Sequence, residues 1–229
     1  MANEKVLNPE EETLGSAMSK TEVFFEENAS KVMYALLVLL VLAAAVFGYK
    51  KLVSEPRVEK AAAMLSDAQY RFESTTPDFE LALNGDANGA GFLDVIDQYG
   101  STPAGNLAKH YAGICYLRLG ELDKAAEYLA KYSSVRGIPG AVINAQNLGL
   151  QGDVAVDKGD YAAAVKFYDK AVAAADNNFT APLYLRKAAL ALRAEGKNAE
   201  AEARLERILN EYPMSSDARE ADKLLGTVE

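Results

Sequence analysis

The chain has 229 residues, a formal charge of −9, no tryptophan and one cysteine. Its acidity leaves no basic stripe to neutralise phosphates, which argues against nucleic acid as a partner. Cys115 alone excludes an internal disulfide and says nothing of redox compartment, because a helical domain of this size needs no covalent staple. Alanine- and leucine-rich, strand-poor text predicts an all-α chain.

Residues 1–19 are polar, acidic and without period, so they are expected to lack order. Thr21 to Lys31 (TEVFFEENASK) predicts a short amphipathic helix. Thr21 is its cap, acids fill its first turns, and Val23, Phe24 and Phe25 share one side. This helix either lies at a membrane surface or is a solvated extension of the segment that follows.

That segment, Val32 to Tyr49, reads VMYALLVLLVLAAAVFGY, without a charge, between Lys31 and the pair Lys50 and Lys51. As a helix it is roughly 27 Å long, close to the hydrocarbon thickness of a bilayer. Five Leu, four Val and one Phe favour insertion by roughly 3–6 kcal/mol in sum. It begins too late and runs too long for a cleaved signal peptide, so residues 32–53 are read as a transmembrane signal anchor. Residues 1–31 form a tail on the near side. Ala43, Ala44, Ala45 and Gly48 form a small-residue face suited to contact with another membrane helix; the other reading is that they face lipid. Lys50, Lys51, Arg57 and Lys60 on the far side favour a cytoplasmic location for the long domain, although the rule is weakest for long translocated domains.

Residues 54–105 read as a linker helix and an irregular first helix pair. Pro56 marks the exit from the anchor or a kink. Arg57–Glu73 is one helix, with Val58, Ala61, Ala62, Leu65, Ala68, Gln69 and Phe72 at helical spacing. Asp78–Leu83 is a short helix or turn, Asn84–Gly91 a loop by composition, and Phe92–Tyr99 a second helix. The next helix opens near Pro103. Asp86, Asn88, Gly91, Asp94 and Asp97 approximate a calcium-loop spacing. However, Ala90 takes an oxygen-ligand slot and Asp97 is shorter than the usual glutamate, so the run is read as a polar loop and no metal is expected.

Residues 106–215 repeat. LGELDKAAEYL, KGDYAAAVKFY and EGKNAEAEARL align on Gly120, Gly159 and Gly196, which lie thirty-nine and thirty-seven residues apart. Five residues on come Ala125, Ala164 and Ala201. Nine on come the bulky Leu129, Tyr168 and Leu205, and twelve on come Tyr132, Ala171 and Ile208. Seven before come Gly113, Gly152 and Ala189. Antiparallel helix pairs require this alternation, with small residues where backbones approach and bulky ones between pairs. The glycine supplies the left-handed residue that ends the first helix of each pair. The unit resembles the tetratricopeptide repeat. Its copies run Asn106–Pro139, Ala145–Asn178 and Pro182–Ser215, with an extended loop at Arg136–Gly140 and a capping helix within 216–229. Lys109, Leu148 and Leu185 stand where that family often has Trp, and Asn198 replaces its aromatic.

A stack of helix pairs presents a concave surface lined by the first, or A, helices. Repeat position puts Leu107, His110, Ile114 and Leu117, then Asp153 and Val156, then Leu183, Arg186, Leu190 and Arg193 on that surface. Apolar and mixed-sign residues suit an extended or helical polypeptide; each is equally readable as an ordinary packed or solvated helix face. His110 is the one histidine, so triads and zinc sites would rest on it alone. No catalysis, cofactor or small-molecule substrate is expected.

The motif Phe24-Phe25-Glu26-Glu27-Asn28 before a single anchor, then a lysine-flanked exit, a long helix and these repeats, resembles the YfgM-like family over roughly Thr21 to Leu209. The resemblance implies a single-pass protein of a bacterial inner membrane, N-terminus cytoplasmic and repeats periplasmic, as an ancillary subunit of the Sec translocon. It implies three partners: membrane subunits of the translocon, a membrane-anchored prolyl isomerase-like periplasmic chaperone, and emerging polypeptides. An adaptor of another envelope complex, such as cell division, motility or a dedicated secretion system, shares every feature of the text. An envelope enzyme with a carboxylate site is the third reading.

Overall fold

A computed structural model describes residues 9–226, with side chains from residue 24 onward. It divides into two units, residues 1–56 and 57–229.

The first unit is one helix, α1, Pro9–Tyr49. It does not break at Thr21, and residues 9–19, expected to lack order, are its first turns; residues 1–8 lie outside the described residues. Pro9 suits a first helical position, and no proline follows before Pro56, so the hydrogen-bond ladder propagates. From Leu36 to Phe47 the large apolar side chains are more than half exposed. Among the described residues there is one helical stretch long and apolar enough to cross a membrane, and its apolar window is unburied. After Tyr49 the backbone widens into a π turn, Lys50–Ser54, in which the Glu55 amide reaches back to the Lys50 carbonyl. Proline lacks a donor and its ring clashes with the carbonyl four residues back, which a wider turn accommodates.

The second unit is all-helical apart from one tiny hairpin. Its opening helix, α2 (Glu55–Phe72), buries Ala61, Leu65 and Ala68; Val58 and Ala62, expected on the same face, are exposed. Helix α3 (Phe79–Asn84) is capped by Asp78, whose Oδ1 accepts from the Leu81 amide at 2.9 Å. The stretch read as a loop then pairs as β1 (Gly85–Asp86) with β2 (Gly89–Ala90). Arg71 makes this possible. It donates to the Gly89 and Ala90 carbonyls at 3.0 and 2.8 Å and to Asp86 at 2.8 Å, and is itself 15% exposed. The Asp86 carboxylate, held below its usual range first by the Asn88 amide, is engaged in that turn. The Asp94 carboxylate accepts from the Gly91 amide at the start of α4 (Phe92–Tyr99). Two of the three acids of the calcium-like spacing, Asp86 and Asp94, therefore have structural partners. Arg71→Met is expected to lose about 1.5–3 kcal/mol of local stability, read as faster amide exchange at Ala90 and Gly91 with exchange in the repeats unchanged. Phe72, Phe79, Phe92 and Tyr111 close the packing, with centroids 5.1–6.0 Å apart.

Three helix pairs follow: α5 (Pro103–Arg118) with α6 (Leu122–Ala130), α7 (Ile138–Asp157) with α8 (Tyr161–Ala174), and α9 (Ala181–Ala194) with α10 (Asn198–Glu211). The last helix, α11 (Ser216–Gly226), packs on α9 and α10. Gly120, Gly159 and Gly196 have φ of 77°, 79° and 76°, the left-handed turn that closes each A helix. A Cβ on Gly113 would lie 2.6 Å from Leu129, and one on Gly152 2.5 Å from the Tyr168 ring. Small residue and bulky residue thus interlock within the first two pairs as the alignment requires. Ile138–Gly140, expected in an extended loop, are instead the first turn of α7, because Pro139 is tolerated there. Helix α6 is correspondingly short, and Tyr132, aligned with helical positions of the other repeats, lies beyond its end and bonds Asn144 through its hydroxyl.

Candidate functional site

The A helices α5, α7 and α9, continued by α11, are joined side to side by polar contacts between repeats. The Asn147 amide nitrogen lies 3.2 Å from His110 Nδ1, joining α5 to α7 in a buried setting. Lys187 of α9 donates to both carboxylate oxygens of Asp153 on α7 at 2.8 Å, and the Tyr168 hydroxyl donates to Asp153 at 2.7 Å. Arg186 of α9 pairs with Asp217 of α11 at 2.6 Å, and Arg193 donates to the Leu224 carbonyl at 2.5 Å. Burial pushes Tyr168 above the usual phenol range and Tyr184 up to about 12. It pushes Cys115 up to about 12 and His110 down to about 4. The thiol and the imidazole are therefore neutral at physiological pH and act as packing groups. Among the described residues no three His, Cys, Asp or Glu side chains come together as a metal site.

The ten residues expected on the concave surface do not form one strip. Leu107, His110 and Ile114 meet Phe72, Ile143 and Gln146 around a cavity of about 310 Å³. His110 is only 2% exposed and Ile114 8%, because the α7 helix covers them. Val156 and Leu190 meet at a pocket of about 180 Å³ beside Tyr168. Leu183 and Arg186 line a cleft of about 680 Å³ with Val142, Phe179, Met214 and Ser215. Asp153 and Arg193 are engaged between helices, and Leu117 packs against the buried apolar cluster that runs from Ala61 of α2 to Leu129 of α6. Ala43, Ala44 and Ala45 are exposed on α1, and a Cβ on Gly48 would meet nothing.

Position within a repeat did not point to Phe179 or Met214, which lie in the loops from second to A helices. The available signal was a large apolar residue between turn formers, Asn177-Asn178-Phe179-Thr180 and Pro213-Met214-Ser215.

The Tetratricopeptide repeat family model matches residues 145–178, the stretch spanning most of α7 and all of α8. Two crystal structures of the MamA protein are similar to this chain at 17% and 16% identity. The alignments cover 83% and 80% of this chain and 90% of each of the others, with a TM-score of 0.46 in both cases. A search of curated proteins returned no match.

Proposed function

We propose that this tetratricopeptide-repeat chain is a non-catalytic scaffold held in a bacterial inner membrane by α1, with its repeats in the periplasm beside the Sec translocon. In this reading it recruits a membrane-anchored prolyl isomerase-like chaperone and helps pass emerging polypeptides to it. The observation that carries the scaffold reading is the pairing, in one chain, of a membrane-length apolar helix whose window is unburied and three stacked helix pairs with a row of hollows along their A helices. Helical-repeat stacks use that extended surface for polypeptide partners. The three hollows along the A helices are the proposed contact points. Leu107 lines the first, with His110 and Ile114 buried in its wall; Val156 and Leu190 line the second, and Leu183 and Arg186 the third. Asp153, Arg193 and Leu117 set the spacing between helices. Ala43, Ala44, Ala45 and Gly48 are proposed to meet a translocon helix, since small residues let backbones approach in lipid.

The experiment is purification of the tagged full chain from membranes in mild detergent, with mass spectrometry of what accompanies it. Translocon subunits with a periplasmic chaperone, and a C-terminal tag protected from protease in intact spheroplast-derived inverted vesicles, support the reading. A different stoichiometric envelope complex transfers the function to the second reading, an adaptor of that complex. Lys50, Lys51, Arg57 and Lys60 favour the opposite orientation, which the same tag would reveal by its digestion.

A further inference from the structure

We propose that the cleft between α7, α9 and the start of α11 docks an uncharged, apolar stretch of unfolded polypeptide, one aliphatic or aromatic side chain of which seats between Phe179 and Met214. This rests on the reading that the repeat unit binds polypeptides, and it names the chemistry that one of its hollows selects.

Four observations carry it. First, the cleft holds about 680 Å³, within the roughly 300–1,000 Å³ of built ligand sites. Second, Phe179 is 80% and Met214 94% exposed, and each stands two residues before an A-type helix, α9 and α11 respectively. They are thus the same structural position one repeat apart, bracketing the cleft. Third, the backbone turn that carries Phe179 is held in place. The Asn177 side-chain oxygen accepts from the Phe179 and Thr180 amides at 2.9 and 3.0 Å, and the Thr180 hydroxyl bonds the Ala175 carbonyl. A turn already fixed in place loses little backbone freedom on binding.

Fourth, the wall offers apolar surface and hydrogen bonding but no net charge. Arg186 and Asp217 neutralise each other at 2.6 Å and are 28% and 13% exposed. A charged segment would lose hydration there without gaining a partner. The Ser216 hydroxyl, exposed in the same wall, can hydrogen-bond a peptide main-chain group. A bilayer fits less well, because no unpaired basic group of the wall faces outward to meet lipid phosphates.

The test uses the full chain in phosphatidylcholine nanodiscs and fluorescein-labelled twelve-residue peptides of Ser, Gly and Asn. Each carries a central Leu-Phe-Leu, Leu-Asp-Leu or Leu-Lys-Leu, and binding is followed by anisotropy against empty nanodiscs. The Leu-Phe-Leu peptide is expected to bind saturably and the charged peptides at least about tenfold more weakly. Phe179→Ser and Met214→Ser are each expected to weaken the apolar peptide about tenfold, the low end of what burying such a side chain contributes. Both positions are exposed, and unchanged melting curves would show the fold intact. Wild-type affinity in both variants overturns the cleft proposal while leaving polypeptide binding in place. No binding of any peptide beyond empty nanodiscs overturns both. Concentration-dependent self-association lost in Met214→Ser would give the cleft to a second copy and overturn the proposal as well.

Discussion

Gly149→Ala is expected to destabilise the repeat unit by about 1–3 kcal/mol, although the same change on an open helix face stabilises by about 1 kcal/mol. The reversal comes from one contact between repeats. A Cβ on Gly149 of α7 would lie 2.1 Å from Tyr184 Cε1 and 2.6 Å from its Cζ. Tyr184 of α9 is 5% exposed and stacks on Tyr168, with centroids 6.4 Å apart. Tyr168 cannot yield either, since its hydroxyl is tied to Asp153, which Lys187 holds from α9. The added methyl must therefore push α7 and α9 apart. Urea unfolding followed by far-ultraviolet circular dichroism checks this. A lower midpoint at constant slope is the expected result, and a raised midpoint would show that the second and third repeats do not pack as described.

The second large effect is a loss of stability in mild acid that depends on His110. Its pKa is about 4 in the fold because burial disfavours the charged ring, against about 6.5 in an unfolded chain. A base with a depressed folded pKa stabilises the fold above its unfolded value. That contribution falls as pH drops from about 6.5 towards 4, because the unfolded state takes up the proton first. The full difference is about 3 kcal/mol. His110→Asn, which keeps a polar group near Asn147, should flatten the stability profile between those two pH values. A profile equally steep in the variant would mean that carboxylates govern the acid transition.

The repeats were legible because their signals are local and repeated. Left-handed glycine at Gly120, Gly159 and Gly196, and the small-against-bulky pairs Gly113–Leu129 and Gly152–Tyr168, are fixed by spacing within one helix pair. The hairpin at residues 85–90 was not, because it is held by Arg71, which lies eighteen residues before Gly89 in another helix. The early start of α7 turns on whether Pro139 falls in a first turn or a loop, and composition serves both. The setting of the ten groove candidates was legible only in part. Helical spacing tells which residues share a face of one helix, whereas exposure depends on the neighbour. Thus α7 covers His110, Lys187 engages Asp153, and Asp217 engages Arg186. The outward Phe179 and Met214 escaped because loops carry no period to read.

In-cell photo-crosslinking tests the central claim most directly. A benzophenone amino acid replaces Leu190, which is 42% exposed beside the Val156 hollow, and a control replaces Glu206, exposed on the neighbouring α10 helix. Adducts with a translocon-associated chaperone or with newly exported chains at 190, absent at 206, are the predicted result. No adduct at 190, or the same adducts at both positions, would contradict a scaffold that works through its A-helix surface.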